Sequence, residues 1–99
     1  METSSDILEN YQKLAAAILA EAVFSYRSLC RRLIENEHNP NAAAWGMQCT
    51  KASMKLAEDD FASDYYHTLL VGIGPDLDGA LIPKFIRKQE EERYARRCV

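Results

Sequence analysis

The sequence predicts an all-α domain: a long N-terminal helix in an antiparallel hairpin with a second, then a short third helix and a C-terminal helix kinked at Pro83. Three observations predict it. From about Asp6 to Asn36, Ile7, Tyr11, Leu14, Ile18, Ala22, Tyr26, Leu29 and Leu33 recur at steps of three and four with no Pro or Gly between them. Asn36 to Asn41 breaks that period and ends in an Asn-Pro pair that suits the start of another helix. Gly72-Ile73-Gly74-Pro75-Asp76 is the clearest turn, since glycine permits positive φ and Pro75 cannot extend a helix.

The first helix is well marked at its start, with Thr3, Ser4, Ser5 and Asp6 as possible N-caps and Glu9 three residues after Asp6. At ~1.5 Å per residue it runs ~45 Å, while a compact chain of about 100 residues has a radius of gyration of only ~13 Å. The helix outreaches the body that folds against it. A partner copy covering the overhang through Tyr11, Ile18 and Tyr26 makes a homodimer the expected assembly.

The second helix, about Pro40 to Ala57, places Trp45, Cys49, Ala52 and Leu56 on one stripe, which a short connection would turn back onto the first helix. Ser63 is a good N-cap for the third helix, through Leu70. Asp76 can cap the last helix, whose apolar edge is Leu77, Leu81, Phe85 and Ile86. Pro83 within it removes a backbone donor, so the helix kinks or restarts there. The segment from about 89 to 99 is almost wholly polar and reads as a solvated tail free to fray. Leu14, Ile18, Ala22, Leu29, Leu33, Trp45, Leu56, Phe61, Leu69 and Ile82 are the expected core.

Composition narrows the function. Ninety-nine residues make one domain, residues 1–99, with room for one small core and too little for a deep cleft as well. Nothing approaches the run of about 18 apolar residues that a membrane span needs, and acids stand near the N-terminus where a secretory leader would carry bases. The expectation is a cytoplasmic protein with no membrane contact. Three widely spaced cysteines fit neither a disulfide framework nor a zinc site. Cys30 and Cys49 are expected in the core and Cys98 outside it.

The net charge of −3 divides unevenly, with −2 over residues 1–50, −4 over 51–83 and +3 over 84–99. The acidic stretch, Glu58, Asp59, Asp60, Asp64, Asp76 and Asp78, is a candidate partner-binding rim able to imitate phosphates. The basic set, Lys84, Arg87, Lys88, Arg93, Arg96 and Arg97, is the alternative, a nucleic-acid surface with Tyr94 to stack on a base. Asp60, Asp64 and His67 would share a face if the helix ran unbroken, but no second group completes a metal shell, and solvated acids are expected instead. Asp76 and Asp78 lack the remaining ligands of a calcium loop. Cys49 with His38 or His67 has no oxyanion-forming elbow beside it, and no phosphate loop or dinucleotide fingerprint is present. No enzyme activity, metal or cofactor is expected.

Asn10-Tyr11-Gln12-Lys13-Leu14-Ala15, Glu21-Ala22-Val23, Tyr26-Arg27, Phe61 with Ser63-Asp64-Tyr65, the Gly-Ile-Gly-Pro-Asp turn and Leu81-Ile82 resemble small uncharacterised helical proteins of Gram-positive phages and integrative elements. The resemblance covers both ends of the chain, fails in the middle and departs at Pro83. It implies a mobile-element protein that binds a host component in the bacterial cytoplasm. Inhibitors of host defence, anti-CRISPR proteins acting on CRISPR effector nucleases among them, are one such class. A nucleic-acid-associated accessory protein and a structural dimerisation module are the alternatives.

Overall fold

The computed structural model describes residues 4–41, 43–74 and 77–97, so Pro75, Asp76 and Cys98 lie outside the described residues. Four α-helices follow in order: α1 (Ser4–Glu37), α2 (Ala44–Phe61), α3 (Asp64–Val71) and α4 (Ile82–Arg97), with a 3₁₀ turn at Gly79–Leu81 leading into α4. No strand occurs among the described residues, and no helix there is long and apolar enough to cross a membrane.

The long α1 is the common wall. Towards its C-terminal end Tyr26, Cys30 and Leu33 meet Met54 and Phe61 of α2 and Ile86 of α4; nearer its start Ala15 and Leu19 meet Leu69 and Leu70 of α3. Ile82, the first residue of α4, packs against both clusters and joins them. Each fully buried aliphatic side chain here contributes about 1.5–3 kcal/mol. The molecule measures 60 × 28 × 23 Å with a radius of gyration of 16.7 Å, and near the start of α1 Ile7 and Leu8 are exposed.

The structure sharpens the sequence reading at three elements. The second helix starts at Ala44 rather than near Pro40, because the Asn39 side chain accepts the Asn41 N–H at 3.0 Å and stabilises a turn instead of a helix start. The 3₁₀ turn, capped by Asp78, hands over directly to α4 at Ile82, so Pro83 sits in the first helical turn, where its missing N–H is harmless, and the helix restarts there. Beyond Lys88 the helix continues to Arg97 with most of its side chains exposed, but Glu90 is buried and the Tyr94 ring stacks on His38 at the end of α1 with centroids 4.6 Å apart.

The expected core is also partly corrected. Leu33, Phe61 and Leu69 are buried, and Ile18, Ala22, Leu29 and Ile82 pack against the clusters, but Leu14, Trp45 and Leu56 are exposed. On α1 the seam shifts one residue, to Ala15 and Leu19, where the small alanine side chain lets α3 approach. On α2 the hairpin uses the opposite face, Met47, Thr50, Met54 and Phe61, and leaves Trp45 76% exposed. Thr50 tolerates burial because its hydroxyl donates to the Gly46 carbonyl at 3.0 Å.

The expected positive φ is not used at any described glycine. Steric space is what matters. A Cβ on Gly79 would collide with the carbonyl oxygen of Phe61, where the 3₁₀ turn crosses the end of α2, whereas one on Gly72 would lie 2.7 Å from the Tyr11 ring, a side chain that can turn aside. Gly79→Ala should therefore lower stability by about 2–3 kcal/mol and Gly72→Ala by under about 1 kcal/mol, read from urea unfolding midpoints. Equal effects would show that the Gly79 crossing is not tight.

Candidate functional site

Two charged regions form the candidate sites. The first is an acidic corner where α2 hands over to α3. Ser63 makes the handover: its hydroxyl donates to the Asp60 carbonyl at 2.6 Å and accepts the Tyr66 N–H at 3.4 Å, ending one helix and capping the next. Asp59 and Asp60 are exposed in the last turn of α2, Asp64 opens α3, and Asp78 caps the 3₁₀ turn by accepting the Ala80 N–H at 3.0 Å. Asp64, His67 and Asp78 border one open groove of about 320 Å³ above the Phe61 backbone. None of these four aspartates is in an ion pair among the described residues.

Glu58 does not belong to that rim. It is half-buried and turned towards α1, where it accepts a hydrogen bond from the Tyr26 hydroxyl at 3.3 Å. Asp60, Asp64 and His67 do not share a helical face, since the turn at Ala62 and Ser63 interrupts it. The described residues contain no group of three side chains able to hold a metal ion. Cys49 lies on the outer face of α2, with His38 against Tyr94 and His67 at the groove, so the residues of the hypothetical dyad are held in different places.

The second region lies between α1 and α4 and centres on Glu90, only 3% exposed. Arg27 donates from Nη1 to one Glu90 oxygen at 2.9 Å and from Nη2 to Gln89 at 3.0 Å, while Arg31 donates from Nε to the other Glu90 oxygen at 2.9 Å. Arg93 approaches the same carboxylate at 3.8 Å. Burial pushes the Glu90 carboxyl upward, but the hydrogen bonds and charges of Arg31 and Arg27 outweigh it and hold the group below the usual glutamate range. Arg96 joins Arg27, Arg31 and Arg93 along an open groove of about 580 Å³, with Glu92 on its edge.

The six bases expected as one patch are therefore divided. Arg93 and Arg96 face this groove, Arg87 borders Cys30 and Glu91 on another side, and Arg97 lies beside Ile34 and Tyr94; Lys84 and Lys88 are simply exposed. Arg27 and Arg31 were not singled out from the sequence, although their spacing of four beside the apolar seam of α1 is the signal that would have found them.

The expected dimer contacts separate as well. Tyr26 is 0% exposed, packed edge to face on Phe61 with centroids 6.1 Å apart, so it belongs to the subunit core and cannot meet a second chain. Burial, reinforced by Cys30 and Glu58 and opposed by Arg87, pushes its hydroxyl pKa well above the ordinary value. Ile18 packs beside α3, and Tyr11 remains partly exposed next to Gly72. Burial likewise pushes the Cys30 thiol up to about 11, while Cys49 is exposed, against the core position expected for it.

Two tests follow from these environments. Because Glu90 is held below its unfolded value of about 4.3, its contribution is complete above that pH and lost as pH falls through the folded value, so Glu90→Gln should flatten the acid limb of the stability curve below about pH 4.5. Removing both Arg27 and Arg31 as methionines leaves the buried carboxylate with only the long contact from Arg93. That pair should cost about 3–5 kcal/mol, more than Glu90→Gln; the reverse order would mean the carboxylate is hydrated.

The thiols give the second test: mass-mapped alkylation at pH 8 should label Cys49 promptly and Cys30 only on unfolding. Rapid labelling of Cys30 in the native chain would contradict the packing of α1 against α2 and α4. Compared with protein-family profiles, curated proteins and solved structures, the chain matches none.

Proposed function

We propose that this chain is a non-enzymatic binding protein of a bacterial mobile element that inhibits a host defence protein in the cytoplasm, with a CRISPR effector nuclease as its target. The acidic corner carries the reading. Asp59 and Asp60 stand at the C-terminal end of α2 with no base in its last turn, where the helix dipole disfavours acids by about 0.3–1 kcal/mol each. Subunit stability does not explain that placement. With Asp64 and Asp78 across the handover they present a one-signed field fixed by helix caps, suited to a basic nucleic-acid groove. The resemblance of both chain ends to phage and integrative-element proteins supports the choice of a host nuclease.

Asp64→Asn with Asp78→Asn removes two charges while asparagine at 78 retains the cap on the 3₁₀ turn and Ser63 still caps α3. Binding of the native chain to a purified effector should be blocked by guide RNA and should weaken about tenfold as salt rises from low to physiological levels, with the Asn pair slowing association more than it speeds dissociation. Salt-independent binding unaffected by the Asn pair would remove phosphate imitation; no binding to any effector would remove the target class.

One observation favours a second reading, a nucleic-acid-associated accessory protein. Arg27 and Arg31 on α1 add to Arg93 and Arg96 on α4 along one groove. Salt-sensitive retention of DNA or RNA, lost when Arg93 and Arg96 become Glu, would establish it instead.

A further inference from the structure

We propose that a second copy of this chain seats on the outer face of α2, the two α2 helices lying antiparallel across a two-fold axis. α2 is apolar on two opposite faces, whereas a helix on a monomer surface has one such stripe. The inner face carries Met47, Met54 and Phe61 in the subunit core. The outer face carries Trp45, Cys49, Ala52 and Leu56 at i, i+4, i+7 and i+11, the alternation of a helix–helix seam, with Leu56 68% exposed.

The chain as a whole exposes more surface than its mass calls for, and Trp45 and Leu56 of α2 are among the exposed large apolar side chains. The chain exposes 7252 Å² at a mass of 11.2 kDa, whereas a compact monomer of that mass exposes about 5,700 Å². The difference exceeds the ~800 Å² that each partner contributes to an ordinary stable interface.

Charge and shape specify the occupant and its direction. The acids of α2, Glu58, Asp59 and Asp60, all fall in its last turn, so a parallel pair would set acid against acid. At the other end, the start of α2 has no acid in its first turn, and Ala43 supplies no side-chain cap. An antiparallel copy brings Asp59 and Asp60 of the partner subunit to that uncapped positive end, where the dipole favours them. With Cys49 opposite the partner's Ala52, Trp45 falls opposite the partner's Leu56, and both pairs occur twice. The small central residues allow close approach while the large ones close the two ends. A contact that uses the same patch on both copies is satisfied at two chains and does not propagate.

Here Asp59 and Asp60 serve the partner copy while the Asp64–Asp78 groove stays open to a host protein, so the two readings share these acids but fail separately. The dimer test reads the association of the chain with itself, and the binding test above changes Asp64 and Asp78, which are outside α2. Light scattering of the full chain should give twice 11.2 kDa at micromolar concentration. Trp45→Glu with Leu56→Glu should return one chain with unchanged helical circular dichroism, since both side chains are outside the subunit core. Asp59→Lys with Asp60→Lys should raise the dimer Kd about tenfold. In a Cys98→Ser chain, a bismaleimide of about 8–10 Å, the spacing of packed helix axes, should join Cys49 to the partner's Cys49.

A mass of one chain at up to ~100 µM, beyond the Kd of a stable dimer, would overturn the proposal. A dimer that survives the two Glu substitutions and gives no Cys49 cross-link would place any self-association elsewhere and overturn it equally. Loss of the cross-link together with no response to the two Lys substitutions would rule out the antiparallel arrangement.

Discussion

The fold depends on the unbroken seam along α1. Among the described residues only α1 gives buried side chains to both apolar clusters, so the Tyr26–Phe61–Ile86 group and the Ala15–Leu69–Leu70 group share a single rigid wall. In so small a chain neither cluster is large, and a Pro or Gly within α1 would uncouple them as well as weaken the helix. Ile82 is the second tie, because the residue that starts α4 touches both groups. The crossing of Gly79 over the end of α2 then follows: only a residue without a side chain lets the 3₁₀ turn deliver Ile82 to that junction.

Polar chemistry fixes the position of α4. Its first turn is apolar, but most of its length is not, and packing alone would hold it weakly. Glu90 supplies the missing specificity. A carboxylate buried this deeply is stable only where donors meet it, and Arg27 and Arg31 offer them from adjacent turns of α1 in a single register. The same ion cluster leaves Arg93 and Arg96 beside two guanidinium groups of α1, so the structural device and the candidate anion-facing groove are built from the same residues.

The surfaces of α2 divide the molecule's work. Its inner face completes the core, its outer face is apolar and open, and its C-terminal end is acidic. Both latter features are unfavourable for an isolated subunit: one exposes large side chains to water, the other opposes the helix dipole. A second copy on the outer face relieves both together, and leaves the Asp64–Asp78 groove available at each end of the resulting pair for a different molecule.

The all-α class, the long first helix, the Ser63 cap and the break at Pro83 were legible in the sequence because each depends on chemistry within a few residues: apolar period, a hydroxyl beside an N–H, a ring without a donor. So were Leu33, Phe61 and Leu69 as core. The acidic corner was legible in part, as a run of like charge, but not the inward turn of Glu58, which depends on Tyr26 thirty-two residues earlier. Tertiary structure decided which of two apolar stripes on α2 faces α1, that Tyr26 is inside, and that Glu90 is buried against Arg27 and Arg31. Periodicity shows that a helix has an apolar face but not which one a neighbour takes, and a buried charge is recognisable only once its distant partners are in place.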